Sequence, residues 1–204
     1  MARAGTAVLA LHYQNDVLHP DGKIRVGVSA RSRKRTRVIA AARVLLDGAR
    51  RHGVPVISVR IGFRADFADV IANCDIFRNV IRLGAMQRGS WGAEFFDGLG
   101  PLPGEAVISH NRISAFYRTG LQRLLRRLKT RRVVVAGIAT NYVVEHTVRD
   151  AADIGYAVTV ASDACSSGNS VLHKASLANM ALLAEIAPAS DIVRSFRGKT
   201  GRRT

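Results

Sequence analysis

Arg132-Val133-Val134-Val135-Ala136-Gly137, running directly into Ile138-Ala139-Thr140-Asn141-Tyr142-Val143-Val144-Glu145, is the stretch on which the fold turns. A short β-branched run with no polar alternation fits a strand buried on both faces, as in a parallel sheet. The spacing then predicts a helix over 141–154: Thr140 or Asn141 can cap its start and Gly155 can end it. A further apolar run at 156–162 (YAVTVAS) reads as the next strand.

Working outward, the same alternation recurs. Thr6–Leu11 (TAVLAL) is a buried strand by the same criterion. Over 31–52 the apolar residues Val38, Ala41, Ala42, Leu45, Leu46 and Ala49 fall at helical spacing, with arginines opposite and Gly53 as the stop. Strands are expected at 54–61 (VPVISVRI) and 106–109 (AVIS), with a weaker sixth at 191–194, and helices at 119–129 and 171–187. Repeated strand–helix–strand units joined by right-handed crossovers give a three-layer α/β/α, Rossmann-like sheet of six mostly parallel strands. No repeat or linker divides the chain, so one domain is expected over 1–195, with a basic, flexible tail at 196–204. The segment 62–105 breaks the rhythm; it carries Gly84, Gly89, Gly92, Gly98 and Gly100 and the only tryptophan, Trp91. Connections of that length are usually lids or oligomer contacts. Ligands of open α/β sheets bind beyond the carboxyl ends of the strands, which directs attention to 12–16, 62–67, 110–116 and 137–143.

Composition narrows the function. Cys74 and Cys165 form neither a disulfide framework nor a metal-type spacing, which suits a reducing cytoplasm. No apolar run reaches the ~20 residues of a membrane span. The formal charge of +16 comes from 31 Lys and Arg against 15 Asp and Glu, gathered at 31–37, 123–132 and 194–203. These clusters read as solvated helix faces and a terminus. The aromatic interleaving of a single-strand binder is missing, so nucleic acid is an unfavoured partner. A basic surface also attracts a small anionic substrate.

Four blocks carry a family resemblance. They are Leu11-His12-Tyr13-Gln14-Asn15-Asp16; Gly89-Ser90-Trp91-Gly92-Ala93-Glu94; the block from Val107 to Phe116 with Thr119-Gly120-Leu121; and the block from Val135 to Glu145 with Thr147 and Arg149-Asp150-Ala151. In this order, across nearly the whole chain, they are similar to the isochorismatase-like, or cysteine hydrolase, superfamily. The resemblance implies a small-molecule substrate and a dimer or tetramer. It also implies an Asp/Lys/Cys triad, whose three positions here hold His12, His110 and Val143. The family's oxyanion hole, made of backbone N–H groups, maps to Ala139 and Val143. The Asp–x–His metal pattern of the nicotinamidase members is replaced by Arg60-Ile61-Gly62-Phe63-Arg64-Ala65-Asp66, so neither metal nor cofactor is expected.

A valine cannot attack a carbonyl, and Cys165, which follows the fifth strand in Ser162-Asp163-Ala164-Cys165, reads as a small, buried, unreactive cysteine. Two histidines at triad positions can still exchange protons near neutrality, one activating water and the other protonating a leaving group. The bland alternative is a pair of satisfied polar groups in a silent site. His146, one turn past Val143, ranks below them. Expected substrate contacts are Gln14, Asn15, Trp91, Arg112, Phe116, Asn141 and Tyr142, with Phe63 and Phe67 as further apolar wall. Arg112 suits a bidentate anion contact or a structural salt bridge equally. Three functions remain, in descending order: a hydrolase or related lyase using histidine acid–base chemistry, a catalytically silent metabolite-binding or assembly protein, and a polyanion binder.

Overall fold

The computed structural model describes residues 5–24 and 32–197. Along its central strand β1 (Thr6–Leu11) every residue is buried, and successive side chains go to opposite sides. Val8 and Ala10 enter one apolar cluster; Ala7, Leu9 and Leu11 enter the other. The chain then forms a single helical turn α1 (Asn15–Leu18), α2 (Arg33–Arg51), β2 (Val56–Ile61), α3 (Asp75–Leu83), β3 (Ala106–His110) and α4 (Leu121–Arg127). It continues through β4 (Arg132–Gly137), α5 (Glu145–Ile154), β5 (Ala157–Ala161), α6 (Ser170–Met180), β6 (Glu185–Ala187) and α7 (Ala189–Phe196).

The six strands among the described residues are all parallel, in the order β3-β2-β1-β4-β5-β6. On one face, Leu45 and Leu46 of α2 and Ile192 and Phe196 of α7 pack with Val134 and Ala136 of β4. On the other, Leu121 and Leu125 of α4 and Val148 and Ala151 of α5 pack with Val133 and Val135. Cutting a buried leucine of either layer to alanine costs about 2–5 kcal/mol.

The connection order reverses between β1 and β4, so the chains leaving their carboxyl ends run to opposite faces of the sheet and leave a crevice there. Gly137 closes β4 against β1: a Cβ on it would sit 2.4 Å from the Leu11 carbonyl oxygen. Only a residue without a side chain lets the two strands end this close together, immediately before His12.

Two elements differ from the sequence expectation. Residues 191–194 are helical within α7, because Ala189, Ile192 and Phe196 recur at helical spacing and share a buried face. The sixth strand is instead Glu185–Ala187, inside what reads as one helix over 171–187. The run from Ala181 to Ala187 has no glycine or proline before Pro188, and three residues are too few to display a strand period. The segment 62–105 is also more ordered than a loop, since it contains α3 and a short 3-10 turn, Trp91–Ala93. Of the basic tail expected at 196–204, Phe196 ends α7 and 198–204 lie outside the described residues, as does Arg31 of the first arginine cluster.

Candidate active site

β1 ends in a residue with an unusual backbone. His12 has φ 54°, in the left-handed region, and its N–H donates to the Val59 carbonyl at 2.9 Å. The residues after it are held from several sides. Gln14 is fully buried; its amide nitrogen donates to the carbonyls of Ile61 and Ala93, and its amide oxygen accepts from Ile61 N–H. Asn15 donates to the Trp91 carbonyl, and the Asp16 carboxylate accepts from the backbone N–H of Lys23 and Met86. This clamp fixes where the imidazole of His12 points.

It points at His110, the last residue of β3. The two Nε2 atoms lie 2.5 Å apart, and both residues are 7% exposed. Nδ1 of His110 lies 3.0 Å from the Ser114 carbonyl oxygen. A carbonyl only accepts, so this nitrogen carries a proton, and in the neutral ring Nε2 of His110 is then the acceptor. The bond between the rings therefore uses a proton on His12 Nε2, and the remaining lone pair of the pair sits on His12 Nδ1. Burial, then the neighbouring His110, holds His12 well below the usual histidine range. Burial takes His110 down to about 4, against a smaller opposing effect of the Ser114 carbonyl. The pair is neutral at neutral pH.

His12 forms part of the wall of a cavity of about 600 Å³ at the β1/β4 crevice. Ile138, Ala139, Tyr142 and Val143 line the same side, brought there by the π-helical turn Thr140–Val144 that precedes α5; the Ile138–Ala139 peptide is cis. The opposite side is α3, through Phe77, Val80, Leu83 and their neighbours, joined by Lys23 and Ile24. Among the described residues the cations there lack carboxylate partners: Lys23 Nζ donates to the Gly84 carbonyl, and Arg82 donates to the Asn79 side-chain oxygen. Asp75, the acid of this wall, is paired with Arg78. Among the described residues no three of His, Cys, Asp and Glu cluster as metal ligands.

Residues 6–191 match the isochorismatase domain. The chain belongs to the isochorismatase family. It is 34% identical over 117 residues to the ureidoacrylate amidohydrolase RutB of Variovorax paradoxus, covering 56% of this chain and 46% of that protein. It is 26% identical over 205 residues to RutB of Azorhizobium caulinodans, covering 94% and 90%. The chain thus spans under half of the first relative's length and most of the second's. An isochorismatase family protein from Desulfovibrio vulgaris has the same fold, with a TM-score of 0.83, 27% identity and coverage of 95% and 98%.

Within this isochorismatase-type domain the structure gathers some of the expected residues and disperses others. His12, Ala139, Val143, Tyr142 and Arg112 line the cavity, and His110 stands directly behind His12. Gln14 and Asn15 are directed away from it, into the clamp behind His12. Trp91 is 48% exposed and meets His19 edge-on. Phe116 stacks with Tyr156 against the α5 layer, and Phe63 is buried among Phe67 and Phe77. Asn141 lies off the lining, its side-chain oxygen buried without a partner among the described residues. His146 is bonded to the Tyr142 carbonyl on the exposed side of its helix. Arg112 makes no salt bridge among the described residues: it donates to the Ile71 carbonyl and the Asn73 side chain and lies 4.0 Å over the Phe77 ring. Cys165 is buried, its thiol pushed up to about 12, chiefly by burial.

The sequence reading missed the α3 wall. Its signal was present: Ile76, Phe77, Val80 and Ile81 at helical spacing, ended by Gly84 in the left-handed conformation. That pattern spans only nine residues inside a glycine-rich stretch.

Proposed function

We propose that this chain is a small-molecule hydrolase, or a lyase using the same site, in which His12 and His110 act as one acid–base unit. The amides of Ala139 and Val143 are the proposed donors to the developing oxyanion. The observation that carries this reading is the direct bond between the two imidazoles at the cavity wall. With valine at position 143 the attacking group is water. His12 Nδ1 takes a proton from it, and the new positive charge is shared across the Nε2–Nε2 bond with His110. The same Nδ1–H then protonates the leaving group. The start of the helix after Ala139 adds a dipole potential favourable to the oxyanion.

The cations Lys23 and Arg82, bonded to neutral oxygens on an apolar wall, favour a substrate with an apolar body and one carboxylate. The relatives named as ureidoacrylate amidohydrolases make ureido and amide derivatives of unsaturated acids the first class to try. Assembly as a dimer or tetramer is carried over from the resemblance.

A silent metabolite-binding member is the second reading. Its support is that both histidines titrate far below neutrality, where a base is weak. A panel of amides, ureides, esters and enol ethers, each with and without a carboxylate, separates the two. Turnover by the wild type that His12→Ala and His110→Ala abolish supports the enzyme. Saturable binding of panel members with no turnover supports the silent protein.

A further inference from the structure

The proton arrangement of the histidine pair depends on one acceptor, the Ser114 carbonyl, and that carbonyl sits in a turn with anchors of its own. The Ser114 hydroxyl donates to the Asp150 carboxylate and accepts from Phe116 N–H. Ala115 N–H donates to the hydroxyl of Thr147, a fully buried residue. Thr119 donates to the Ala115 carbonyl at 2.6 Å, closing the turn from its far end. Asp150 and Thr147 are three residues apart on α5, so they share the face that meets the turn. The other end of α5 continues the π-helical turn that brings Val143 to the cavity. One helix thus carries both the anchors of the Ser114 turn and the start of the proposed oxyanion site.

We propose that Asp150 and Thr147 are positioning residues for the histidine pair: by pinning the 114–116 turn they keep the His110 proton on Nδ1 and leave the free lone pair on Nδ1 of His12, the ring that lines the cavity. The inference rests on reading the pair as the reacting centre. It assigns Asp150 no contact with substrate. With the turn released, the Ser114 carbonyl no longer selects one nitrogen of His110, and the ring can carry its proton on Nε2 instead. His12 Nε2 must then accept, which places the His12 proton on Nδ1, where it blocks the lone pair. A loss of anchoring two hydrogen bonds from the rings is thereby converted into the wrong tautomer at the cavity.

Nitrogen-15 NMR of the histidine side chains tests this in the full chain at about pH 7.5, about one unit above the ordinary histidine value of ~6.5. The wild type is expected to show two neutral rings in opposite forms, Nδ1–H for His110 and Nε2–H for His12. Asp150→Ala and Thr147→Val are expected to move the His110 signals from the single-tautomer pattern to exchange-averaged positions, with the conservative Asp150→Asn largely restoring it. If both variants lower Tm but leave both rings in their wild-type tautomers, the two residues only hold the fold and the proposal is overturned. A different failure marks the underlying reading. If the two wild-type rings share a tautomer, or titrate independently near ~6.5, there is no bonded pair to position.

Discussion

The two walls of the cavity are built in opposite ways. The sheet-side wall (His12, Ala139, Val143) is set on strand ends whose polar groups are buried and bonded, and its histidines are neutral at neutral pH. The α3-side wall presents side chains from a short helix on the long 62–105 excursion, with Lys23 and Arg82 bonded to neutral oxygens. Rigid placement with no net charge suits proton transfer, whereas outlying cations select ligands by charge at little structural cost. The first wall is therefore expected to govern rate and stability, the second affinity.

The largest effect that sharpens this contrast is on turnover. His12→Ala should lower kcat/KM on any substrate found in the panel by roughly 10²–10⁴-fold, the usual range for removing a general acid–base group. It should also destabilise by about 1–3 kcal/mol, since the buried His110 Nε2 loses its hydrogen-bond partner. A comparable loss from a substitution on α3 alone would break the division of labour.

Next comes pH. His110 has a folded value of about 4 against an ordinary 6.5, so the unfolded chain binds its proton first as pH falls. Stability from this group is complete above 6.5 and is lost progressively between 6.5 and 4. The loss is about 3 kcal/mol by linkage, with His12 adding in the same direction. Urea midpoints from about pH 7.5 to about pH 4 should show this slope in the wild type and a shallower one in His110→Gln. Equal slopes would mean that burial does not suppress protonation of the pair.

Smaller again, Gly137→Ala should destabilise by about 1–3 kcal/mol, because its Cβ meets the Leu11 carbonyl and β1 and β4 must separate. Chemical denaturation measures it directly. The smallest effect belongs to the other wall. Lys23→Ser with Arg82→Ser should raise KM for a carboxylate-bearing substrate by about tenfold while leaving kcat and stability nearly unchanged. Among the described residues both side chains bond only to neutral oxygens, so little stability rests on them. An uncharged analogue should show no KM change, and equal shifts for both substrates would remove the charge-selection argument.

The two walls were also unequally legible. Strands β1 and β4 declare themselves by uninterrupted apolar runs, and His12, Ala139 and Val143 come within a few residues of their ends. Local sequence therefore sufficed for the sheet-side wall. His110 was visible for the same reason, at the end of β3. The α3 helix has a short period of its own, but its place is set by tertiary contact: nothing local ties Lys23, Phe77 and Arg82 to the strand ends they face. Arg112 shows the limit from another side. Its type and place suited anion binding and a structural salt bridge equally, but its donors go to Ile71 and Asn73, a choice made by a chain segment about forty residues away. The short sixth strand escaped because three residues carry no period.

The left-handed backbone at His12 has an evolutionary consequence. An L-residue with a Cβ held there costs about 1 kcal/mol that glycine avoids, and asparagine tolerates the region better than most. Drift under selection for thermostability alone therefore runs away from imidazole at position 12, toward Gly or Asn. A library randomised at that position and sorted once for stability and once for turnover would diverge at this one codon. The width of that divergence measures how much stability the protein forgoes to keep an imidazole at its cavity wall.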